Sequence, residues 1–322
     1  MSITKKINQF AKSLNDTGFG KNSSDNAVRL AKKNGQVNVK KMGIPFWKKI
    51  SLYHSMIAMG KIKFIGCILL FFVLINLFFA EIYLLIGIEH LGGLQNVSPA
   101  KDFWEAFFFS AQTFTTVGYG RVYPVGFLTS AVSSLEALIG ILSAALATGL
   151  LYGRFSKPEA YLRFSHHILV SPFDQMNALM FRLASYKNNH LTDVEVNIVV
   201  AMEIEENGKI VNRFFNLALE LAKINSLAFS WTVVHPIDEK SPFKSLSYED
   251  IKNANTEILI FVKAFDDQFS NIVMQRTSYT ADEVVMGAKF KKMYGISANG
   301  KTTELWLDQI NDFEGVELNK II

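Results

Sequence analysis

The chain has 322 residues, of which 49% are hydrophobic, and a formal net charge of +4 at neutral pH. This length favours more than one domain. The single cysteine, Cys67, excludes an intrachain disulfide and a thiol-rich metal site, and no stripe of basic residues marks a nucleic-acid surface. The positive mean hydropathy of +0.18 comes mainly from two long apolar stretches, so part of the chain is predicted to lie in a membrane.

The first 43 residues are rich in Lys, Asn, Ser and Gly, and are predicted to form a mostly flexible cytoplasmic arm. The next segment is residues 44–60. Between Pro45 and Ala58, apolar side chains recur at helical spacing, with lysines, serines and a histidine between them. This pattern predicts an interfacial slide helix, an amphipathic helix that lies along the membrane surface.

Two stretches, Ile62 to Ile88 and Val125 to Gly153, are long enough to cross a bilayer, since about 20 apolar residues are needed. They lie within a predicted pore domain at residues 61–157. Residues 1–63 carry thirteen Lys or Arg, whereas the loop at residues 89–123 carries only two. The positive-inside rule therefore predicts a multi-pass protein of the cell (inner) membrane with both termini in the cytoplasm.

A shorter apolar segment lies between the two spans and is preceded by the helix-start signals Ser98, Pro99 and Asp102. It is too short to cross the bilayer and predicts a re-entrant half-helix, the pore helix. This segment leads directly into a short loop made of Thr115, Thr116, Val117, Gly118, Tyr119 and Gly120.

The composition of this loop suits a dehydrated potassium ion, because rings of backbone carbonyls from four chains can replace the water around it. Gly118 and Gly120 permit the dihedrals that turn successive carbonyls towards one axis. Thr116 adds a hydroxyl, and Tyr119 can brace the loop from behind. The half-helix points its partly negative C-terminal end at the pore centre. K⁺ is therefore predicted to bind at Thr116, Val117, Gly118 and Tyr119 as the permeant ion, with no cofactor.

After Pro158 the chain changes to alternating β-branched and polar residues, so residues 158–322 are predicted to form a cytoplasmic, antiparallel β-sandwich. Asn207-Gly208 predicts a hairpin turn, and one short helix is predicted at Tyr248–Asn253. The predicted strands are Ala178–Ala184, Val194–Met202, Ser226–Val234, Glu257–Ala264, Asn271–Arg276, Val284–Lys291 and Lys301–Leu307.

Several strings resemble inwardly rectifying potassium channels, and the missing extracellular cysteine pair of animal members makes the chain similar to the prokaryotic branch. The strings are Phe155-Ser156-Lys157-Pro158, Phe164-Ser165-His166-His167, Arg182-Leu183-Ala184 and QRTSYTADEVVMGAKF from Gln275 to Phe290. The resemblance implies a homotetramer whose subunits have a slide helix, two transmembrane helices around a pore helix, and an immunoglobulin-like cytoplasmic β-sandwich.

The resemblance also implies gating by phosphoinositide or another anionic lipid. Arg154, Lys157 and Lys187 match the family's lipid-binding positions, and Lys48 and Lys49 lie nearby on the slide helix. Electrostatic attraction to anionic lipid suits such a cluster. The alternative is that these are ordinary positive-inside residues. The sign of the lipid effect stays open, because animal members are activated and prokaryotic members inhibited.

The second span is expected to line the cavity. Ala144, Thr148 and Tyr152 are spaced by four residues and share one helical face, and the bulky Tyr152 is the candidate gate. Gly140 and Gly149 are candidate hinges, with close helix packing through small residues as the alternative.

Departures from the family pattern bear on rectification and on the filter. Ala144 stands where strong rectifiers carry a cavity acid, and Lys263 replaces one acid of the cytoplasmic ring, which retains Asp193. Weak block by Mg²⁺ or polyamines, and hence weak rectification, is predicted, with Ba²⁺ as a further blocker. Gln112 replaces a glutamate that braces the filter in animal members, so Glu136 is a candidate brace; the alternative is a buried acid with a structural role.

His166 and His167 are candidates for pH sensing near the gate, with solvated or hydrogen-bonded linker histidines as the alternative. Two other classes compete with a passive channel. A subunit of an active potassium uptake system usually repeats the span-loop-span unit, which occurs once here. The other class is a two-span receptor whose β domain is an enzyme or a ligand module. An enzyme needs a catalytic constellation, which Ser165-His166 does not supply.

Overall fold

The computed structural model divides the chain into two compact units, with a division after Lys157. One unit is Met42–Lys157, and the other combines Met1–Lys41 with Pro158–Ile322. They are called here the pore unit and the β domain. The structure describes residues 13–14, 29–40, 42–43, 45, 51–94, 99–206 and 209–319.

Among the described residues, the α-helices lie mainly in the pore unit, and one, α5, lies in the β domain. They are α1 Leu52–Ala58, α2 Lys61–Ile86, α3 Pro99–Phe114, α4 Phe127–Phe155 and α5 Tyr248–Asn253.

The described strands lie mainly in the β domain, where they form two sheets and two short pairs. They are β1 Ser13–Leu14, β2 Leu91–Gly92, β3 Tyr123–Pro124, β4 Leu162–Phe164, β5 Ile168–Phe173, β6 Met176–Ser185, β7 Leu191–Glu206, β8 Lys209–Asn216, β9 Lys223–Ser226, β10 Ser230–Pro236, β11 Glu257–Asp266, β12 Asn271–Thr280, β13 Val284–Met286, β14 Ala288–Phe290, β15 Tyr294–Ile296, β16 Thr303–Leu305 and β17 Phe313–Gly315.

The pore unit has two long apolar helices, α2 and α4, which confirm the two predicted spans with slightly shifted ends. Gly87, with a φ of 116°, ends α2, a conformation that glycine adopts readily. The predicted slide helix is described from Leu52 onwards as α1, where Ser51 caps its first turn. Its predicted earlier residues, including Lys48 and Lys49, lie outside the described residues.

The half-helix α3 lies between the spans and contacts both of them. The short strands β2 and β3 pair on either side of it, and the Val125 amide donates to the His90 carbonyl oxygen at 2.8 Å. The segment from β2 to β3 is therefore closed at its base, so α3 and the loop after it are held between two fixed ends.

The β domain is a sandwich of two sheets around one core. The first sheet has the order β1-β8-β7-β11-β12, with β9 beside β7, and the second has the order β10-β6-β5-β13, with β4 beside β6. Leu183 of β6 and Ile198 of β7 belong to the same buried cluster. Alternating apolar residues from both sheets thus build the core, as expected for aligned sheets.

The prediction of a purely antiparallel sandwich is wrong at one pair, since β13 runs parallel to β5, with Val284 beside Ile168. A short 3₁₀ helix, Ala281–Glu283, carries the chain from β12 in the first sheet to β13 in the second. That crossover delivers β13 to the sheet edge in the direction of β5.

Several strand ends also differ from the predictions. Gly287, with a φ of 66°, divides the predicted strand Val284–Lys291 into β13 and β14. The predicted strand Ser226–Val234 is broken, because β9 ends at Ser226 and β10 begins at Ser230. Strands β7 and β8 pair up to Glu206 and Lys209; the predicted turn residues between them, Asn207-Gly208, lie outside the described residues.

Part of the N-terminal arm, which was predicted to be mostly flexible over residues 1–43, is bound within the β domain. The Glu257 carboxylate accepts hydrogen bonds from the backbone amides of Leu30 at 2.6 Å and Ala31 at 3.0 Å. Lys33 donates to Glu283 Oε1 at 2.7 Å. The backbone amides of Leu30 and Ala31 thus bind an acceptor on β11, and the Lys33 side chain binds one on the segment after β12. Composition suggested disorder here, and the periodicity of the sequence does not reveal these contacts.

Candidate ion-conduction site

The loop at residues 115–120 leaves the end of α3 in a fixed direction. The Val117 amide donates to the Gln112 carbonyl oxygen at 2.9 Å, and the Thr115 hydroxyl donates to the Ala111 carbonyl oxygen at 2.7 Å. The same two carbonyl oxygens also accept from the backbone amides of Thr115, at 3.1 Å to Ala111, and Gly118, at 3.3 Å to Gln112, so the last turn of the helix is closed by several bonds at once.

The loop backbone takes a left-handed conformation at every second residue. The φ angles are 59° at Thr116, 52° at Gly118 and 80° at Gly120. In an extended chain successive carbonyls point to opposite sides, and a backbone that alternates in this way can turn them towards one side. The glycines were expected to supply this freedom. The left-handed Thr116 was not expected, because a β-branched residue is strained there.

Behind the loop, four buried side chains connect α2, α3 and α4. Glu136 of α4 accepts a hydrogen bond at Oε2 from the Tyr83 hydroxyl at 2.6 Å, and its Oε1 lies 2.5 Å from Ser110 Oγ. Ser110 Oγ also lies 2.9 Å from Asn76 Oδ1. We call Asn76, Tyr83, Ser110 and Glu136 the polar network. It places Glu136 behind the pore helix, where a brace would act, although the same contacts would serve a purely structural acid.

The outer end of the loop is joined to the start of α3 by an ion pair. Arg121 pairs with the carboxylate of Glu105. The Arg121 carbonyl also lies against Gly93, which has a φ of 86° and no room for a side chain. No sequence pattern marks the Arg121 and Glu105 pair, because it depends on how the loop returns over α3.

The three predicted pore-lining residues lie on exposed parts of α4 in the single chain. Tyr152 is 73% exposed, and Ala144 and Thr148 are also exposed. The Thr148 hydroxyl donates to the Ala144 carbonyl oxygen at 2.9 Å, so the helix satisfies it without a ligand.

The two predicted hinge glycines differ in their surroundings. Gly140 packs so closely on the Phe114 backbone that a Cβ there would overlap with the Phe114 carbonyl oxygen. At Gly149 a Cβ would meet no atom of the described chain within 4 Å. The helix α4 continues through both positions. Close packing therefore describes Gly140, whereas Gly149 has no packing reason within one chain.

The predicted lipid-binding residues have different partners. Arg154 Nη1 donates to the Met56 carbonyl oxygen at 2.6 Å, at the end of α1, and its guanidinium lies 4.5 Å from the Phe64 ring centroid. Lys157 is exposed. In the β domain, exposed Lys187 has its Nζ 3.6 Å from the Tyr161 ring centroid. Lys48 and Lys49 lie outside the described residues.

Asp193, the predicted acid of the cytoplasmic pore, has a basic neighbour in the same chain. Lys223 Nζ lies 2.9 Å from Asp193 Oδ1, and both side chains are exposed. The hydrogen bond to Asp193 raises the pKa of Lys223. Lys263 stands opposite Glu195 in the pairing of β11 with β7. On this part of the sheet, Asp193 and Glu195 therefore each have a lysine as a neighbour. The sequence alone indicated such a lysine only at Lys263.

The two linker histidines are held by the β domain. The His166 amide donates to Asn311 Oδ1 at 2.8 Å, and its carbonyl accepts from Lys33 Nζ. The His167 ring lies edge-on to Phe313, with centroids 6.1 Å apart. These contacts do not test pH sensing by His166 and His167, which stays a prediction.

The fold defines a class of membrane protein: two spanning helices, a half-helix with a TVGYG loop between them, and a C-terminal β-sandwich. Residues 162–320 match the family model described as "Inward rectifier potassium channel C-terminal domain", and residues 64–157 match the model described as "Ion channel".

Two curated relatives agree with these matches. The chain is 32% identical over 277 residues to the inward rectifier potassium channel Kirbac3.1 of Paramagnetospirillum magnetotacticum, covering 85% of this chain and 92% of that one. It is 25% identical over 288 residues to the inward rectifier potassium channel irk-1 of Caenorhabditis elegans, covering 82% of this chain and 53% of that one. The chain belongs to the inward rectifier potassium channel family, and is an ion channel protein and not an enzyme.

Proposed function

We propose that the chain assembles as a homotetramer that conducts potassium ions passively and selectively. The loop from Thr115 to Gly120 carries this proposal, because it follows a half-helix and lies between two spans in a member of this family. Carbonyl groups that face a common axis replace the hydration shell of the ion. The K⁺ ligands would come from Thr116, Val117, Gly118 and Tyr119.

A tetramer is supported by the unfilled surfaces of the pore unit. One loop cannot surround an ion, and Val117 and Tyr119 are exposed in a single chain. An apolar groove of about 560 Å³ runs between α2 and α4, with Phe71, Ile141 and Ala144 among its lining residues. Neighbouring copies would cover these surfaces and place four loops around one axis.

We place the channel in the cell (inner) membrane, with both termini and the β domain in the cytoplasm. The excess of Lys and Arg in residues 1–63 over residues 89–123 supports this orientation. The β domain would then drive opening and closing, and Tyr152, at the cytoplasmic end of α4, is the proposed gate.

Anionic lipid, such as phosphoinositide, is the proposed membrane regulator. Exposed Lys157 and Lys187, together with Lys48 and Lys49, offer positive charge to head groups. Arg154 already donates to a carbonyl at the end of α1. Its role would be to hold the slide helix against α4, so its loss would change gating even without lipid.

Weak rectification is proposed for the same channel. Ala144 offers no cavity charge, Lys263 replaces an acid, and Asp193 is paired with Lys223. A blocking Mg²⁺ or polyamine therefore meets little uncompensated negative charge along the proposed pathway.

The test is potassium flux into liposomes that contain the purified protein, with and without phosphoinositide. We expect Ba²⁺-sensitive uptake of K⁺ over Na⁺ in the wild type and its loss in Gly118→Ala, because alanine is strained at a φ of 52°. The response to lipid then gives the sign of regulation.

The competing classes predict other outcomes. A subunit of an active uptake system would need an energy source for K⁺ flux. A receptor would show no K⁺ flux. If no flux occurs in any lipid, and Tyr152→Ala, which removes the proposed gate, is also silent, the channel proposal is wrong.

A further inference from the structure

The polar network contains three short contacts between oxygen atoms, and each needs one proton. They join Asn76 Oδ1 to Ser110 Oγ at 2.9 Å, Ser110 Oγ to Glu136 Oε1 at 2.5 Å, and Glu136 Oε2 to the Tyr83 hydroxyl at 2.6 Å. All four side chains are buried, with exposures of 1% or less. Water is therefore not available to satisfy an unpaired oxygen.

The orientation of the Asn76 amide is fixed by its other contact. Asn76 Nδ2 donates to the Phe72 carbonyl oxygen at 2.6 Å. A carbonyl oxygen only accepts, so an amide turned the other way would bring two acceptors together. Asn76 must therefore present its oxygen, an acceptor, to Ser110.

The hydroxyl groups supply only two of the three protons. Tyr83 has one, which it donates to Glu136, and Ser110 has one, which Asn76 requires. The contact between Ser110 and Glu136 then has no proton unless the carboxyl group provides it. The count of donors points to a protonated Glu136 that donates to Ser110.

We infer that Glu136 is a protonated, uncharged positioning residue that ties the pore helix α3 to both spans and so holds the filter loop in its conducting geometry. This inference rests on the proposed channel function for its consequence, but not for the protonation itself. Ser110 lies less than two helical turns before Thr116, so a displacement of α3 reaches the proposed ligands directly.

The surroundings of Glu136 agree with a neutral acid. Tyr83 on α2 is the one titratable group that contacts it among the residues that the structure describes, and α3 contributes only the Ser110 hydroxyl. No described basic side chain pairs with it. An isolated carboxylate away from water is strongly unfavourable and tends to take up a proton.

The decisive variant is Glu136→Gln, because a glutamine amide has the donor and acceptor pattern of the protonated acid. Its nitrogen can donate to Ser110 and its oxygen can accept from Tyr83. We expect K⁺ flux and K⁺ over Na⁺ selectivity within about twofold of wild type, whereas Glu136→Leu, which removes both partners, should lose roughly tenfold or more. Tyr83→Phe removes one link and serves where the leucine variant does not assemble.

The pH profile separates positioning by a neutral acid from simple packing. In the wild type, flux should fall as alkaline pH removes the Glu136 proton, and in Glu136→Gln this fall should be absent. A glutamine variant that is inactive although tetrameric, or one that keeps the wild-type alkaline fall, would overturn the inference. So would a leucine variant as selective as wild type.

An infrared difference spectrum tests the proton without any flux. At neutral pH, wild type minus Glu136→Gln should show the carbonyl band of a protonated carboxylic acid, and a carboxylate band there instead would refute the protonation. If neither wild type nor Tyr152→Ala conducts K⁺ while the acid band is present, the proposed channel function fails and the protonation stands.

Discussion

The β domain and the pore unit bury their apolar side chains to very different extents in a single chain. Leu183, Ile198 and Ile258 lie in one closed core in the β domain. In the pore unit, only 17% of the most apolar part of α2 is buried, and 11% of that of α4. The buried positions of α4 include Ser133, Glu136 and Gly140, small or polar residues that face its neighbours.

This difference reflects the two solvents. In water, apolar burial stabilises a core, so the β domain is complete within one chain. In lipid, apolar side chains gain little from leaving the solvent, and helices associate through small residues, tight packing and hydrogen bonds. The pore unit should therefore depend on a few close contacts and polar links, and on neighbouring copies.

The largest effect expected from this comparison is that of Leu183→Ala in the β domain. It should lower the free energy of unfolding by about 2–5 kcal/mol, because it leaves a cavity in a closed core. Leu146→Ala in α4 removes the same atoms from a side chain that is 70% exposed in one chain. It should leave the β domain unchanged and weaken only assembly.

Thermal unfolding of the purified proteins in detergent, followed by the signal of the β domain, measures the first effect, and cross-linking of subunits measures the second. Equal losses of β-domain stability in the two leucine variants would contradict the contrast between the units.

A smaller effect is expected from a single methyl group in the pore unit. Gly140→Ala should destabilise the packing of α4 on α3 by about 1–3 kcal/mol, because its Cβ would overlap with the Phe114 backbone. Gly149→Ala is the matched control, since its Cβ would meet no atom of the described residues within 4 Å. The measurement is the temperature at which flux or assembly is lost in each variant; a Gly149→Ala defect equal to that of Gly140→Ala would contradict the packing interpretation.

The sequence predicts the order of elements well where periodicity or length decides it. The spans α2 and α4 and the short helix α5, which Ser247 and Asp250 cap, were expected and are present. The parallel pair of β13 with β5 and the docking of residues 29–38 were not. Both depend on contacts between distant parts of the chain, which local pattern does not encode.

The candidate site was predictable in its loop residues but not in what supports them. The freedom of Gly118 and Gly120 follows from residue type, and Glu136 stood out as an acid in an apolar span. Its partners Tyr83, Ser110 and Asn76 did not, because their meeting depends on the rotation of three helices. A hydroxyl or amide in an apolar helix is the signal that could have found them.

Within the β domain, the docking of the N-terminal arm is expected to depend on the carboxylate of Glu257. Glu257→Gln should weaken the docking of residues 29–38 by about 1–3 kcal/mol, because one of its two acceptor oxygens becomes a donor facing a backbone amide. Hydrogen exchange at Leu30 and Ala31 should then be faster. Glu220→Gln, an exposed acid of the same domain, is the control, and unchanged exchange at Leu30 and Ala31 would contradict the role of Glu257.

The stability of the β domain should also depend on pH through His235. Burial lowers the pKa of His235 below its ordinary value of 6.5. Ala218 and Ser241 bond its two nitrogens, Phe243 packs on the ring, and Asp238 is the acid near it. Above pH 6.5 this histidine binds no proton in either the folded or the unfolded chain. Below pH 6.5 the unfolded chain takes up the proton before the folded chain does, so the free energy of unfolding of the β domain falls as pH falls.

The check is the pH dependence of β-domain unfolding in wild type, His235→Gln and His166→Gln. The slope below pH 6.5 should become smaller only in the His235 variant, because His235 is buried in the folded β domain whereas His166 is exposed. An unchanged slope in His235→Gln would exclude this histidine as its source.

The smallest effect on stability, but a clear one on conduction, is expected at the exposed pair of Lys223 and Asp193. Lys223→Gln should leave unfolding unchanged, because exposed ion pairs contribute little. It should nevertheless increase block by Mg²⁺ or spermine, since the Asp193 carboxylates of the proposed tetramer would lose their lysine partners. Lys240→Gln, which removes an equal charge elsewhere, is the control. If block is equal in the two variants, Lys223 acts only through net charge, and the proposed weak rectification would rest on Ala144 and Lys263.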